Sequence, residues 1–389
     1  MIIQCTRALL NQLGIKVSEL APAEGYEAFP QSFMAWHANM IIDDDNERTI
    51  VLMNNETKFP AVICLPSHRD PSLSEISQLI RETITGVFRT EGISQEVIDA
   101  YFEKAGELSF SKTANRSLVA RLNRSVQEVE VMWEYIDKDV SAQKYISMIT
   151  GRMIQMAGKN EGFYPIEKTI ARFRELFGEN QEIFDVDLYQ LKIQLTIGNH
   201  EIWRRVLVPS TYSFQHLHNI IQTVFDWQNS HMHEYFVSRP VEKKLRIMMD
   251  DNPEMMDFVD FERTEICYER FVALEEILPE YSGLLYVYDF GDSWEHTVTF
   301  EKVVKSNLFQ ATFVEGIGER PPEDVGGEGG FQYYLDIMAD ENDPEYEEMK
   351  EWAEGQRERK FSKETINRRL NDIYKSYSYH VPTYEFINN

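Results

Sequence analysis

From Tyr189 to Ile197 apolar and polar side chains alternate one by one, with Leu191, Ile193, Leu195 and Ile197 set against Lys192, Gln194 and Thr196. A period of two marks a strand with one face in a core and the other in water. The doubly covered centre of a parallel sheet reads instead as an unbroken apolar run. This stretch therefore demands a sheet whose apolar face is closed by helices. A suitable helix follows: Ser213 is an N-cap for Phe214–Phe225, which gathers Leu217, Ile220, Ile221, Val224 and Phe225 on one face. Ile202–Val208, His231–Val237, Tyr286–Tyr288 and His296–Val303 read as further strands, the last two hinged on Asp289-Phe290-Gly291-Asp292. Acidic helices are expected at Phe331–Ala339, Pro344–Ala353 and Ser362–Tyr374.

The first part of the chain has its own pattern. Met1–Thr6, Phe33–Ile42, Thr49–Met53 and Pro60–Leu65 read as strands. From Ser72 the period turns helical, with Ile76, Leu79, Ile80, Ile84 and Val87 on one stripe up to Gly92. Ser94–Ala105, Arg116–Asp137 and Ala142–Ala157 continue as helices, and Gly158–Gly162 breaks the pattern. The expected fold class is α+β in two domains, each a small mixed or antiparallel sheet packed with helices. The expected boundaries are 1–157, a linker 158–184 containing a short helix Ile166–Phe177, and 185–389.

Charge narrows the partners. Residues 1–180 carry 25 acidic and 19 basic side chains, a net of −6; residues 181–389 carry 40 and 20, a net of −20. A nucleic-acid binder draws its non-specific affinity from a basic stripe, so a protein or small-molecule ligand is expected ahead of nucleic acid. Arg116, Arg121 and Arg124, and Arg357, Arg359, Lys360, Arg368 and Arg369, are interleaved with acids and read as solvated helix faces. No apolar run reaches the ~18–20 residues of a membrane span, so no membrane partner is expected. The N-terminus lacks the features of a signal peptide. Cys5, Cys64 and Cys267 are too few and too scattered for a disulfide framework or a zinc knuckle, and a cytoplasmic location is expected. A homodimer is compatible with the composition, although nothing specifies one.

The richest constellation of chemistry lies in the second half. His231 and His233 are two apart on an expected strand, so both point to one face and could share a divalent metal. Asp289, Asp292, Glu295 and His296 surround the glycine turn and could complete the ligand set. Trp227, Tyr288, Phe290 and Trp294 flank the same groups. The plainer readings, a buried polar network orienting aromatic rings or an organic-ligand pocket, are preferred to the metal. His216 and His218 fall two apart on a helix and face different ways, His218 toward helix–sheet packing. In Pro321–Gly330, acidic Glu323, Asp324 and Glu328 oppose phosphate binding, and a structural turn is expected in which Glu323 and Asp324 cap backbone groups. In the first half, Trp36, His37 and Asn39 share a strand, with His37 on Asn39's face and Thr6-Arg7 nearby. They form either a small polar pocket or, preferably, a hydrogen-bonded sheet edge. Cys5 and Cys64 read as core residues.

Five motifs in order over about 180 residues resemble the plasmid pRiA4b ORF-3-like family. They are I-W-R-R-V-L-V-P (Ile202–Pro209), F-x-H-L-H-x-I-I-Q (Phe214–Gln222), F-D-W-Q-N-S-H-M-H-E-Y-F (Phe225–Phe236), Y-D-F-G-D-S-W-E-H (Tyr288–His296) and P-P-E-D-V-G-G (Pro321–Gly327). The family often carries a cysteine just before the double proline; Gly318-Glu319-Arg320 stands there instead, so no thiol role transfers. The first 150 residues resemble a second family without an assigned reaction, through I-x-C-T-x-x-L-L (Ile3–Leu10), W-H-A-N (Trp36–Asn39) and N-R-S-L (Asn115–Leu118). The first resemblance implies a setting of plasmids and insertion elements, sometimes with a resolvase label. No serine or tyrosine nucleophile backed by an arginine cluster supports that label.

Three functions follow. The preferred one is a binding or regulatory protein without catalysis, in mobile elements or host–phage conflict. The alternative is a metal-dependent hydrolase or nuclease on His231, His233 and the acidic turn. The third is a DNA-recombination accessory protein, which the charge opposes.

Overall fold

The four apolar runs of the first 65 residues form four strands: β1 Ile2–Cys5, β2 Ala35–Ile42, β3 Arg48–Asn54 and β4 Pro60–Leu65. A fifth, β5 Ser109–Lys112, completes a sheet in the order β4-β3-β2-β1-β5. In it β1 runs parallel to both neighbours, while β2, β3 and β4 are antiparallel. This description rests on a computed structural model that describes residues 1–43, 46–65, 71–113, 115–156, 161–178, 181–238, 244–249, 260–356 and 362–375. Two compact units, Met1–Val186 and Asp187–Asn389, each pack helices on a mixed sheet, an α+β architecture.

In the first unit Ile3, Cys5, Trp36, Ala38, Leu52 and Ile63 share the core face and meet the helices Leu73–Thr90, Gln95–Ala105 and Pro165–Phe177. Ser72 starts the first of these by a reciprocal box, its hydroxyl accepting from Glu75 N–H while Glu75 accepts from Ser72 N–H. The stretch read as a linker behaves differently. Helix Pro165–Phe177 buries Ile166, Ile170 and Phe173 in the core of the first unit, because its apolar stripe has the spacing of a core helix. A two-residue pair, β6 Gln155–Met156 and β7 Gly162–Phe163, precedes it. Helix Arg116–Val131 stops short of the expected Asp137, giving way to a 3₁₀ turn at Trp133–Tyr135.

The second unit is organised by eight strands. They are β8 Val186–Leu195, β9 Ile202–Pro209, β10 His233–Val237, β11 Lys244–Met248, β12 Thr264–Tyr268, β13 Gly283–Tyr288, β14 Trp294–Ser306 and β15 Thr312–Ile317. Their order is β12-β11-β10-β13-β14-β8-β9-β15. Along β8, Leu191, Ile193 and Leu195 are fully buried while Lys192 and Gln194 stay partly exposed. Each such aliphatic side chain contributes roughly 1.5–3 kcal/mol of burial. Helix Phe214–Phe225 lies on the sheet: the Phe214 carbonyl accepts from Tyr235 O–H at 2.9 Å, and the Val224 carbonyl accepts from the Arg204 guanidinium at 2.8 Å. Among the described residues, no helix is long and apolar enough to cross a membrane.

Candidate functional site

The site forms where three connections of the second unit meet: the run into β10, the β13–β14 turn, and the loop before helix Gly327–Met338. Strands β13 and β14 pair with Tyr288 opposite Trp294, leaving Asp289 to Ser293 as a tight turn. Asp289 and Ser293 both take positive φ there. The turn closes with Ser293 N–H donating to the Asp289 carbonyl at 2.6 Å, and Asp289 Oδ1 accepts from Gly291 N–H at 2.9 Å. Its other oxygen, Oδ2, is free to face His231 Nε2 at 3.6 Å. Asp292 Oδ2 accepts from Gly326 N–H at 3.1 Å and so pins the third loop to the turn.

That loop delivers Glu323 and Asp324. Asp324 Oδ1 lies 3.2 Å from His231 Nε2 and Glu323 Oε2 lies 3.7 Å from it. His231 Nε2 is shielded from solvent yet makes no hydrogen bond. Glu323 is almost wholly buried, with Gln228 N–H donating to its Oε1 at 2.6 Å and Tyr288 O–H at 3.4 Å from both oxygens. Burial pushes its carboxyl above the usual carboxylate range, against the pull of Gln228 N–H, Arg320 and His231. Five of the seven non-glycine residues with positive φ among the described residues, Asp226, Asn229, Asp289, Ser293 and Asp324, belong to these connections. Four are Asp or Asn, the side chains that tolerate that region best.

The aromatic residues build the wall behind. Trp227 stacks on Trp294 with centroids 5.9 Å apart, and the Arg320 guanidinium covers Trp227 at 4.8 Å. Arg320 in turn donates to the Asp226 carbonyl at 2.9 and 2.7 Å, fixing the end of helix Phe214–Phe225. Ser230 N–H donates to the Tyr288 hydroxyl at 3.1 Å.

The expected pairing of His231 with His233 is not what the chain adopts. Side chains two apart share a face only inside a strand, and β10 begins at His233. His231 sits before it, in a loop twisted by positive φ at Asp226 and Asn229. His233 turns inward, its Nε2 2.8 Å from Glu269 and its ring stacked on His218 at 3.4 Å. Among the described residues one group of three His, Cys, Asp or Glu side chains could hold an ion, namely His231, Asp289 and Asp324.

His296 is also committed elsewhere. Its Nδ1–H donates to the Trp294 carbonyl at 3.0 Å, and its Nε2 accepts from Trp227 Nε1–H at 3.4 Å. Both ring nitrogens are used, and burial depresses its pKa to about 3. Glu295 points out to solvent on the opposite face of β14. His218 is neutral for the same reason as His296. Asn229 Oδ1 takes its Nε2–H at 2.7 Å, Tyr286 O–H donates to its Nδ1 at 2.8 Å, and burial holds its pKa at about 3. His216 serves the helix start, accepting from Ser213 N–H at 3.1 Å.

In the first unit Trp36 donates to the Tyr101 hydroxyl at 3.1 Å inside the core. His37 is fully buried on β2, the middle strand, so the expected sheet edge is a sheet centre. Its Nδ1 lies 2.6 Å from Asn55 Oδ1, and burial lowers its pKa. Asn39 accepts from the Thr6 hydroxyl at 2.7 Å. Of the arginines read as solvated faces, Arg116, Arg124 and Arg368 are exposed; Arg121 donates to the Met156 carbonyl at 2.8 Å, Arg124 pairs with Glu128 at 3.2 Å, and Arg369 pairs with Asp226 at 3.2 Å. Arg357, Arg359 and Lys360 lie outside the described residues.

Asp324 is the member of this cluster whose place beside His231 the sequence reading did not give. Only the fold brings it to His231, because the two residues lie far apart in the sequence and no local pattern links them.

Comparisons with known proteins give a separate match for each unit. Residues 187–370 match the model for plasmid pRiA4b ORF-3-like protein, and residues 2–168 match a domain of unknown function (DUF6933). An uncharacterized protein, y4hQ, from Sinorhizobium fredii (strain NBRC 101917 / NGR234) is 29% identical over 165 residues, 42% of this chain and 79% of that protein. The crystal structure of a protein of unknown function, MM3350, from Methanosarcina mazei Go1 shares 30% identity over 43% of this chain and 89% of its own, with a TM-score of 0.38. The second unit is thus similar to the plasmid pRiA4b ORF-3-like family over residues 187–370, and the first unit to a separate domain family over residues 2–168.

Proposed function

We propose that the chain is a binding protein whose second unit takes a divalent cation at His231, Asp289 and Asp324. One observation carries this: a ligand atom from each of the three lies within 4.8 Å of the others. One imidazole nitrogen with carboxylate oxygens is a donor set for zinc, manganese or iron. Glu323 Oε2 faces the same His231 nitrogen at 3.7 Å, and Tyr288 O–H lies 3.4 Å from both Glu323 oxygens, so this carboxylate stands close behind the three. The setting implied by the family resemblance, mobile elements or host–phage conflict, belongs to the same proposal.

A hydrolytic role is the second reading, favoured by the 69% exposure of the Asp324 side chain. It leaves the outer side of the site open to a water, the feature that separates catalytic from structural metal sites.

Elemental analysis and manganese or zinc titration of wild-type protein, His231→Ala, Asp289→Asn and His233→Gln test the proposal. Wild type and His233→Gln should bind about one ion each, while the other two lose affinity about tenfold or more. Equal binding by His231→Ala and wild type, or no stoichiometric ion in either, would sink it. Phosphodiesterase and nuclease assays on the loaded protein, with Asp289→Asn as control, decide the hydrolytic reading.

A further inference from the structure

A cavity of about 400 Å³ opens beside the His231 cluster, between helix Gly327–Met338 and helix Tyr346–Gly355. Its lining is unusual for either a core or a wet surface. Glu345, which caps helix Tyr346–Gly355, and Glu348, Met349 and Trp352 within it recur at i, i+3, i+4 and i+7, so they form one continuous stripe. On a core stripe all four would be apolar, and on a solvated stripe the Trp and Met would be absent. Tyr333, 53% exposed, and Trp352, 37% exposed, both line the cavity. Asp324 closes the end nearest His231. The cavity is therefore walled by two aromatic rings and three carboxylates, and none of the described residues lining it is basic.

We propose that this cavity binds an organic cation, the guanidinium or ammonium head of an Arg or Lys side chain presented by a basic polypeptide segment. Aromatic faces attract such a head through their quadrupoles, and they cover its aliphatic stem. Carboxylates supply charge-assisted hydrogen bonds, which a planar guanidinium makes two at a time. Tyr333 O–H donates to Glu345 at 3.1 and 3.2 Å, holding that carboxylate and the ring in one orientation before a ligand arrives. The volume suits one long side chain with its flanking peptide. Around it, residues 181–389 carry a net charge of −20, a field that draws a basic segment in and keeps acidic ones away.

Asp324 lines the cavity and also stands 3.2 Å from His231 Nε2. The organic cation and the divalent ion proposed above thus share one carboxylate, and each should weaken the other by the same factor. This linkage rests on the divalent-ion reading; the cavity's own preference does not.

Tryptophan fluorescence and calorimetric titration of the full chain with acetyl-Gly-Arg-Gly-amide test the idea, with the Glu and Leu analogues as charge controls and agmatine as the free-cation arm. The Arg peptide should bind saturably, the Glu and Leu analogues should not, and E348Q and W352L should each weaken it about five- to tenfold. Both substitutions sit at exposed positions, and circular dichroism checks that the variants fold. Agmatine binding tighter than the peptide would overturn the polypeptide source. No saturable binding of either, or equal binding by E348Q, would overturn the site. H231A should retain the Arg peptide while losing manganese, so failure of the ion reading and failure of this one give different results.

Discussion

At the scale of single residues, the second unit keeps two histidines neutral by burying them. His218 and His296 both have folded pKa values near 3, set first by desolvation. In the unfolded chain each returns to about 6.5. Between about pH 6.5 and 3 the unfolded state therefore binds more protons, so stability is complete above pH 6.5 and falls as the solution is acidified through that window. Each histidine contributes a slope on the order of 1 kcal/mol per pH unit there. The urea midpoint should drop between pH 7.5 and 5.5, and His218→Gln should make that drop smaller. A midpoint that stays level across that range would contradict this account. The sequence marked His218 for helix–sheet packing correctly, since its place on the amphipathic helix is local information. It did not reveal that His218 stacks on His233, a contact made by the pairing of β10 and β13 and the helix above them.

Elements were legible where their pattern is local. The alternation of Leu191, Ile193 and Leu195 and the stripe of helix Phe214–Phe225 survive unchanged. Strands β11, β12 and β15 were missed because each is five or six residues long, too short for a period to declare itself among charged neighbours. Their places depend on distant partners, β11 with β12 in parallel and β15 against β9. The loop before helix Gly327–Met338 shows how one small residue holds the site. A Cβ on Gly330 would lie 1.7 Å from the Val325 carbonyl oxygen, which the first turn of the helix cannot yield without moving Val325 and its neighbour Asp324. Gly330→Ala should therefore lower stability by about 2 kcal/mol or more. It should also weaken both manganese and the Arg peptide, because Asp324 serves both. Thermal unfolding and the two titrations check this together, and a variant as stable as wild type with both affinities intact would refute the tie between loop and site.

For the chain as a whole, charge decides more than fold does. Neither unit's topology speaks for or against a nucleic-acid partner, since mixed sheets with helices host many functions. The −20 borne by residues 181–389 does speak. A duplex carries one negative charge per about 1.7 Å, and binding gains its salt-dependent affinity only by neutralising phosphates. Of the basic groups that the sequence raised as a local strip, Arg121, Arg124 and Arg369 already bond protein carbonyls or carboxylates. A divalent ion at His231 adds two positive charges to a field ten times larger, so loading the site leaves the repulsion nearly unchanged. We therefore expect no anisotropy change with a 30-base-pair duplex at about 0.1 M salt, where the Debye length is about 10 Å, with or without manganese. The same protein should bind the Arg peptide under those conditions. Duplex binding that falls steeply with salt would reverse the assignment and move the recombination reading from third place to first. Peptide binding without duplex binding would fix the acidic half as a surface for basic polypeptides.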